Sequence, residues 1–175
     1  MRIKISVFMI LFLLSCSSPV NNAEQTKSEP VDTPDQMSWN VNITITHSGK
    51  LRAIIEADYL EQFNENSSIF LEDNVKMDFY NIEEKLISTL FANKAQINEQ
   101  VNFLQAMDNV VVESDSGVTL YTDTLTWDNK KEVIFTEDSV MITTESNDTL
   151  YGVGFQSDIN MEQWKILKPS GVTGK

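Results

Sequence analysis

The sequence has one cysteine and one histidine in 175 residues, and each scarcity excludes a class of function. A lone thiol, Cys16, permits no intramolecular disulfide, so the fold must hold by its own core. His47 stands beside the turn signal Ser48-Gly49-Lys50 with no second His or Cys to complete a zinc site, and reads as an exposed turn residue. Glycine is sparse, at six residues, and no nucleophile elbow, phosphate-binding glycine loop or metalloprotease motif occurs. Asp73-Asn74 does not extend into a calcium-loop spacing. Carboxylates are plentiful, but nothing nominates a catalytic pair. The expectation is a non-enzyme with no cofactor and no metal. Basic residues are also few: 13 Lys and Arg face 26 Asp and Glu, for a net charge of -13. That balance excludes nucleic acid as a partner and makes an anionic membrane surface unattractive.

Long hydrophobic runs are missing too, apart from one at the N-terminus. Arg2 and Lys4 precede an apolar stretch, interrupted by Ser6, that ends in Leu13-Leu14-Ser15-Cys16. The stretch is well short of the roughly 20 residues a membrane span needs, and reads as a secretory signal over residues 1–15. Its last four residues resemble the bacterial lipobox, in which cleavage precedes the cysteine. Cys16 is therefore the expected lipidation site, and acyl chains there would hold the protein to a membrane. Removing Arg2 and Lys4 leaves 11 basic residues against 26 acidic ones, a formal charge of -15. Residues 16–38 carry Pro19, Pro30 and Pro34 among Ser, Asn, Glu, Thr and Asp, and read as a flexible tether. Residues 39–175 make one domain.

That domain is patterned as strands. Trp39 to Thr46 alternates at period two, and Leu51, Ala53, Ile55, Ala57 and Tyr59 share one face of a long strand. Val75, Met77 and Phe79 follow in the same way. Turns fall at Asn81 to Glu84, Asp115-Ser116-Gly117, Asp128-Asn129-Lys130 and Ser146-Asn147-Asp148. Glu83 to Leu90 has some helical spacing, outweighed by a repeat that demands a strand there. Leu90-Phe91, Leu120-Tyr121 and Leu150-Tyr151 recur every 30 residues, as do Asp108-Asn109-Val110 and Asp138-Ser139-Val140. Asp73-Asn74-Val75 lies 35 residues before the first of the latter pair. Such a period marks stacked units that bury a continuous core only together. The residues alone indicate an all-β sandwich, roll or barrel. Its apolar interior, with Val75, Met77, Phe79, Leu90, Leu120, Val140, Ile142 and Leu150 facing in, is either a filled core or a lumen.

Gly49-Lys50-Leu51-Arg52-Ala53-Ile54-Ile55-Glu56-Ala57-Asp58-Tyr59 resembles the opening strand of the LptC family. Ser88 to Ala95, Asp108 to Val112, Gly117 to Trp127 and Thr149 to Asp158 are similar to its later segments, in order. The resemblance covers about residues 40 to 168 and implies a twisted, open β-jelly roll of antiparallel strands in two sheets. It implies a periplasmic protein, here on a lipid anchor with the inner membrane as the expected surface. Its partners would be lipopolysaccharide, the permeases of an inner-membrane ABC transporter, and a soluble periplasmic bridge protein of the same fold. The lipid's acyl chains would then line up with the eight inward residues. Its phosphates would lie away from the acidic wall or be bridged by divalent cations. The strand holding Tyr151, Gly152, Gly154 and Phe155 would be the docking edge, its glycines leaving room for a lipid or a partner backbone. Family members hold the membrane with an N-terminal helix, whereas this chain offers a lipoprotein signal. The alternative is a lipid-anchored structural or interaction protein without lipid transfer.

Overall fold

A computed structural model describes residues 33–98, 100, 103–146 and 148–170. Cys16 and most of the expected tether lie outside the described residues. The first strand starts at Gln36, so the ordered domain takes in the last residues assigned to the tether.

Nine strands follow one another: β1 (Gln36–His47), β2 (Lys50–Phe63), β3 (Ser68–Tyr80), β4 (Leu86–Asn98), β5 (Phe103–Ser114), β6 (Thr119–Asp128), β7 (Val133–Thr143), β8 (Thr149–Asp158) and β9 (Trp164–Ser170). Each pairs antiparallel with the next, in one sheet that runs from β1 to β9 without crossing over. The sheet is open: β1 and β9 are its two edges. Short polar turns join the strands. In the β3–β4 turn, Asn81 Oδ1 accepts from the Glu83 and Lys85 backbone amides, and no helix forms over Glu83 to Leu90.

A break crosses the middle of this sheet. The register shifts between Glu56 and Tyr59 in β2, Glu72 and Val75 in β3, Phe91 and Lys94 in β4, Met107 and Val110 in β5, and Thr136 and Ser139 in β7. Asp73, Asn74, Asp108 and Asn109 take left-handed φ values of 50° to 64° at the break. Asp and Asn bear that conformation better than other residues with a Cβ, so the repeated Asp-Asn pairs mark bends inside strands and not turns between them. Inward positions keep period two on either side of the break and jump across it. Ala57 gives way to Leu60, Leu71 to Val75, Ala92 to Ala95, Ala106 to Val110, and Leu125 follows Thr122. Ala92, Thr122 and Gly152 are equivalent positions, as are Ala95, Leu125 and Phe155, which is the structural meaning of the 30-residue period.

The break lets the sheet fold on itself. Phe79 lies near the end of β3, and Trp127 belongs to the register row of Ile69, ten residues earlier in that strand. In a flat sheet that offset alone would put the rings about 30 Å apart. They touch edge to face, with centroids 5.1 Å apart. The two sheets expected of a jelly roll are thus two halves of one bent sheet, with the same strands running through both. The β8–β9 turn seals one end of the interior. Its Met161 is fully buried, and its Ile159 and Asn160 carbonyls accept from Ser88 Oγ (3.1 Å) and Ser114 Oγ (2.6 Å).

Candidate functional site

The inward face is built row by row. Ile43, Ile55, Met77, Leu90, Val112, Leu120, Ile142 and Leu150 form one continuous register row. Val75 and Val140 sit in the row on one side of it, and Phe79 in the row on the other. The structure therefore brings the eight expected interior residues to one face. Seven are buried; Leu150 is 42 % exposed. It repeats the motif of Leu90 and Leu120, but β9 stops pairing at Tyr151, so among the described residues no strand flanks the start of β8 on that side.

Where these residues meet, the interior is filled. The cavity between Phe79, Leu90, Leu104, Val112, Leu125, Trp127 and Ile134 holds about 10 Å³, no more than one water needs. Buried hydroxyls have partners: Thr122 donates to the Ser139 carbonyl and Ser157 to that of Gln163.

Open apolar surface lies instead at the β1 side. A cleft of about 260 Å³ is walled by Ile43, Ile45, Ile69, Ile97, Leu104 and Trp127, with Phe103 and Asn129 at its margin. It approaches the lower end of the range for small-molecule sites, about 300–1,000 Å³. It forms because β1 is an edge strand, with no neighbour beyond it among the described residues. Val41, Ile43 and Ile45 lie on the core but stay half-buried. Ile69, Ile97 and Phe103 carried no expectation. The period-two spacing of Ile43 and Ile45 was the one available signal, and it marks a strand face, not an opening.

Arg52 and Glu132 join the strands beside this cleft. Arg52 precedes Ala53, the partner of cleft residue Ile45, and Glu132 belongs to the same β6–β7 turn as Asn129. The Arg52 guanidinium donates Nη2–H to Glu132 Oε1 at 3.0 Å, across 80 residues of sequence. In the same turn Asp128 accepts from the Lys130 and Lys131 amides at 3.1 Å and pairs with Lys131 Nζ at 2.8 Å. The Lys131 ammonium, aided by the two amides, holds the Asp128 carboxyl below the usual carboxylate range. On the outer face, Asp78 beside Lys76 raises that ammonium's pKa, and a hydrogen bond to Glu61 raises that of the Tyr59 hydroxyl.

A second, shallow groove of about 720 Å³ follows the break along the outer face of β1 to β5, lined by polar residues together with Val41, Ala57, Val75, Phe91 and Ala92. Among the described residues no group of three His, Cys, Asp or Glu side chains could hold a metal ion. His47 is exposed at the end of β1.

The expected docking residues lie one strand in from the edge. Tyr151, Gly152, Gly154 and Phe155 belong to β8, which is paired on both sides, so the free edge is β9. Phe155 is fully buried, and Tyr151 alone of the four is exposed. The group that closes on Gly152 is the chain's own β9. A Cβ there would run into Ile166 Cγ2 and stand 2.7 Å from the Lys168 carbonyl. Gly154, at φ +75°, likewise seats Leu167.

A family model described as lipopolysaccharide-assembly, LptC-related, matches residues 4–172. No curated protein matches the chain. Among solved structures the chain is similar to LptH of Pseudomonas aeruginosa, described as the LptA-homologous periplasmic component of a conserved lipopolysaccharide transport device. The two are 14 % identical with a TM-score of 0.53, over 70 % of this chain and 88 % of that one. The likeness supports the β-jelly-roll fold.

Proposed function

This chain belongs to the LptC-related family of lipopolysaccharide assembly, and from that premise we propose that it is a lipopolysaccharide-binding component of a transenvelope export bridge. It works in the periplasm, anchored through an acylated Cys16 to the inner membrane. It receives lipid from the ABC transporter's permeases and passes it to a soluble bridge protein of the same fold. Binding and handing on a lipid calls for no covalent chemistry, in keeping with the absence of any catalytic motif.

The observation that carries this reading is the apolar cleft at the β1 side. Trp127 and Leu104 belong both to its wall and to the interior cavity, so the opening abuts the core. An acyl chain entering there meets a mostly apolar wall of Ile43, Ile45, Ile69, Ile97, Leu104 and Trp127. Each buried CH₂ contributes about 0.8 kcal/mol. Entry beyond the mouth requires the two halves of the sheet to part, and Met77, an unbranched side chain, is suited to repacking. Docking falls to the free edges: β1 and β9 leave backbone groups unpaired, where a second roll can add a strand. The β9 edge is limited by Pro169, which has no N–H to donate.

The filled interior favours one other reading, a lipid-anchored interaction protein that carries no lipid. Flotation separates the two. The purified chain is mixed with lipopolysaccharide dispersed below its aggregation limit and spun through a density gradient. Glycolipid that stays with the protein supports the conduit; protein free of glycolipid leaves the interaction reading standing.

A further inference from the structure

Arg52 is the only arginine of the chain beyond Arg2, in a domain dominated by carboxylates. Its side chain is 12 % exposed, while that of its partner Glu132 is 62 % exposed. Among the described residues its Nε is buried without a partner. This is an unusual pair. A guanidinium presents Nε–H and Nη–H as a planar fork that fits a carboxylate or phosphate through two bonds at once. Glu132 takes only one prong, through Oε1. A buried donor left unmade is costly to a fold, and such groups call for an explanation.

The surroundings supply one. Arg52 adjoins Ala53, whose cross-strand partner Ile45 walls the cleft, and Glu132 lies in the turn that brings Asn129 to the same cleft. The charge therefore stands beside the β1-side apolar cleft. Lys131 is committed to Asp128, and Lys50 to Glu84 at 4.0 Å, whereas Arg52, among the described residues, keeps a buried donor unpaired. Glu132 comes from an exposed turn and can swing into water at little cost.

Resting on the lipid-carrying reading above, we propose that Arg52 is a specificity-determining residue that binds the phosphate of an amphiphile whose acyl chain enters the cleft, with Glu132 as the intramolecular anion it displaces. A phosphate would take both prongs, satisfy Nε and leave Glu132 free. One guanidinium at the mouth would let an acidic protein hold an anionic lipid without a basic surface.

The test uses the full chain carrying Cys16→Ser, so that no acyl group of its own competes. Two fluorescent probes share one acyl chain: a monoacylglycerol phosphate and the neutral monoacylglycerol. The unsubstituted cleft is expected to prefer the phosphate probe by about tenfold at low salt. Arg52→Met should bring that preference to within about twofold while leaving the neutral probe's affinity unchanged. Arg52→Met exchanges a buried side chain, so Glu132→Gln, at an exposed position, supplies the second arm. It should strengthen phosphate binding several-fold by removing the internal competitor. A preference that survives Arg52→Met, or a loss of phosphate binding on Glu132→Gln, overturns the proposal. Binding of both probes without preference overturns it while the cleft remains a lipid site. Binding of neither overturns the lipid-carrying reading as well. Displacement of the phosphate probe by inorganic phosphate alone would assign Arg52 to a free anion and sink the amphiphile.

Discussion

Gly152→Ala should loosen the C-terminal edge strand without touching the rest of the sheet. Gly152 faces inward on β8, opposite Val140 on one side and Pro169 on the other. An added Cβ would meet Ile166 Cγ2 and stand 2.7 Å from the Lys168 carbonyl oxygen and 3.1 Å from Pro169 Cα. The Ile166 methyl can rotate away. The carbonyl is backbone, and 2.7 Å falls about 0.7 Å short of ordinary contact at 3.4 Å, so β9 itself must shift. Overpacking of this kind costs about 1–3 kcal/mol. β9 is seven residues long and mostly exposed, so it has little burial with which to resist. Hydrogen exchange is the assay. Amides of β9 and the facing amides of β8 should lose protection by one to two orders of magnitude, about 1.4 kcal/mol per factor of ten. Protection in β3 to β6 should hold. Unchanged exchange in β9, with a denaturation midpoint equal to the parent's, would refute the claim that β9 closes on Gly152. The same geometry means that Gly152→Arg displaces β9 before it could obstruct any lumen.

Other substitutions test the register and the break. Leu120 is fully buried in the central inward row, so Leu120→Ala should cost about 2–5 kcal/mol in urea unfolding. Leu120→Asp should prevent folding, while Thr119→Asp, on the outer face opposite Glu113, should cost less than about 1 kcal/mol. At the break, Asn109→Val should lose about 1–2 kcal/mol, because a β-branched residue resists φ 57°, and Asn109→Gly should be close to neutral. Asp128 gives a pH signature. Its folded pKa is depressed by Lys131, so its stabilisation is complete above the ordinary carboxylate value and is lost as pH falls through the lowered one. Thermal melts of Asp128→Asn should therefore show a shallower loss of stability below that ordinary value than the parent. Parallel curves would contradict the assignment.

Much of the fold is legible in the sequence because turn chemistry and alternation agree. Ser48-Gly49, Asn81 to Glu84 and Asp128 to Lys130 mark hairpin turns, and the Leu90–Leu120 spacing marks equivalent strands. The stretch from Lys94 to Met107 resisted reading. Its inward residues are partly alanines, Ala95 and Ala106, flanked by Gln, Asn and Lys of weak β-propensity. The jump of inward positions at the break also hides alternation from any window that spans it. The Asp-Asn pairs recur visibly, yet their role as mid-strand bends depends on φ values that no local pattern announces. The cleft was less legible still. Ile43 and Ile69 look like ordinary core residues, and they are half-open because β1 ends the sheet, a property of topology. The glycine at 152 reports close approach without saying what approaches.

The central claim is that lipid enters through the β1-side cleft, and in-cell photocrosslinking at two adjacent residues of β1 tests it most directly. Ile43 faces the cleft and Thr44 faces solvent, so a photoreactive side chain moves from one face to the other by a single position. The account predicts a lipopolysaccharide adduct from position 43 and none from position 44. Equal capture at both positions, or capture at 44 alone, would contradict it.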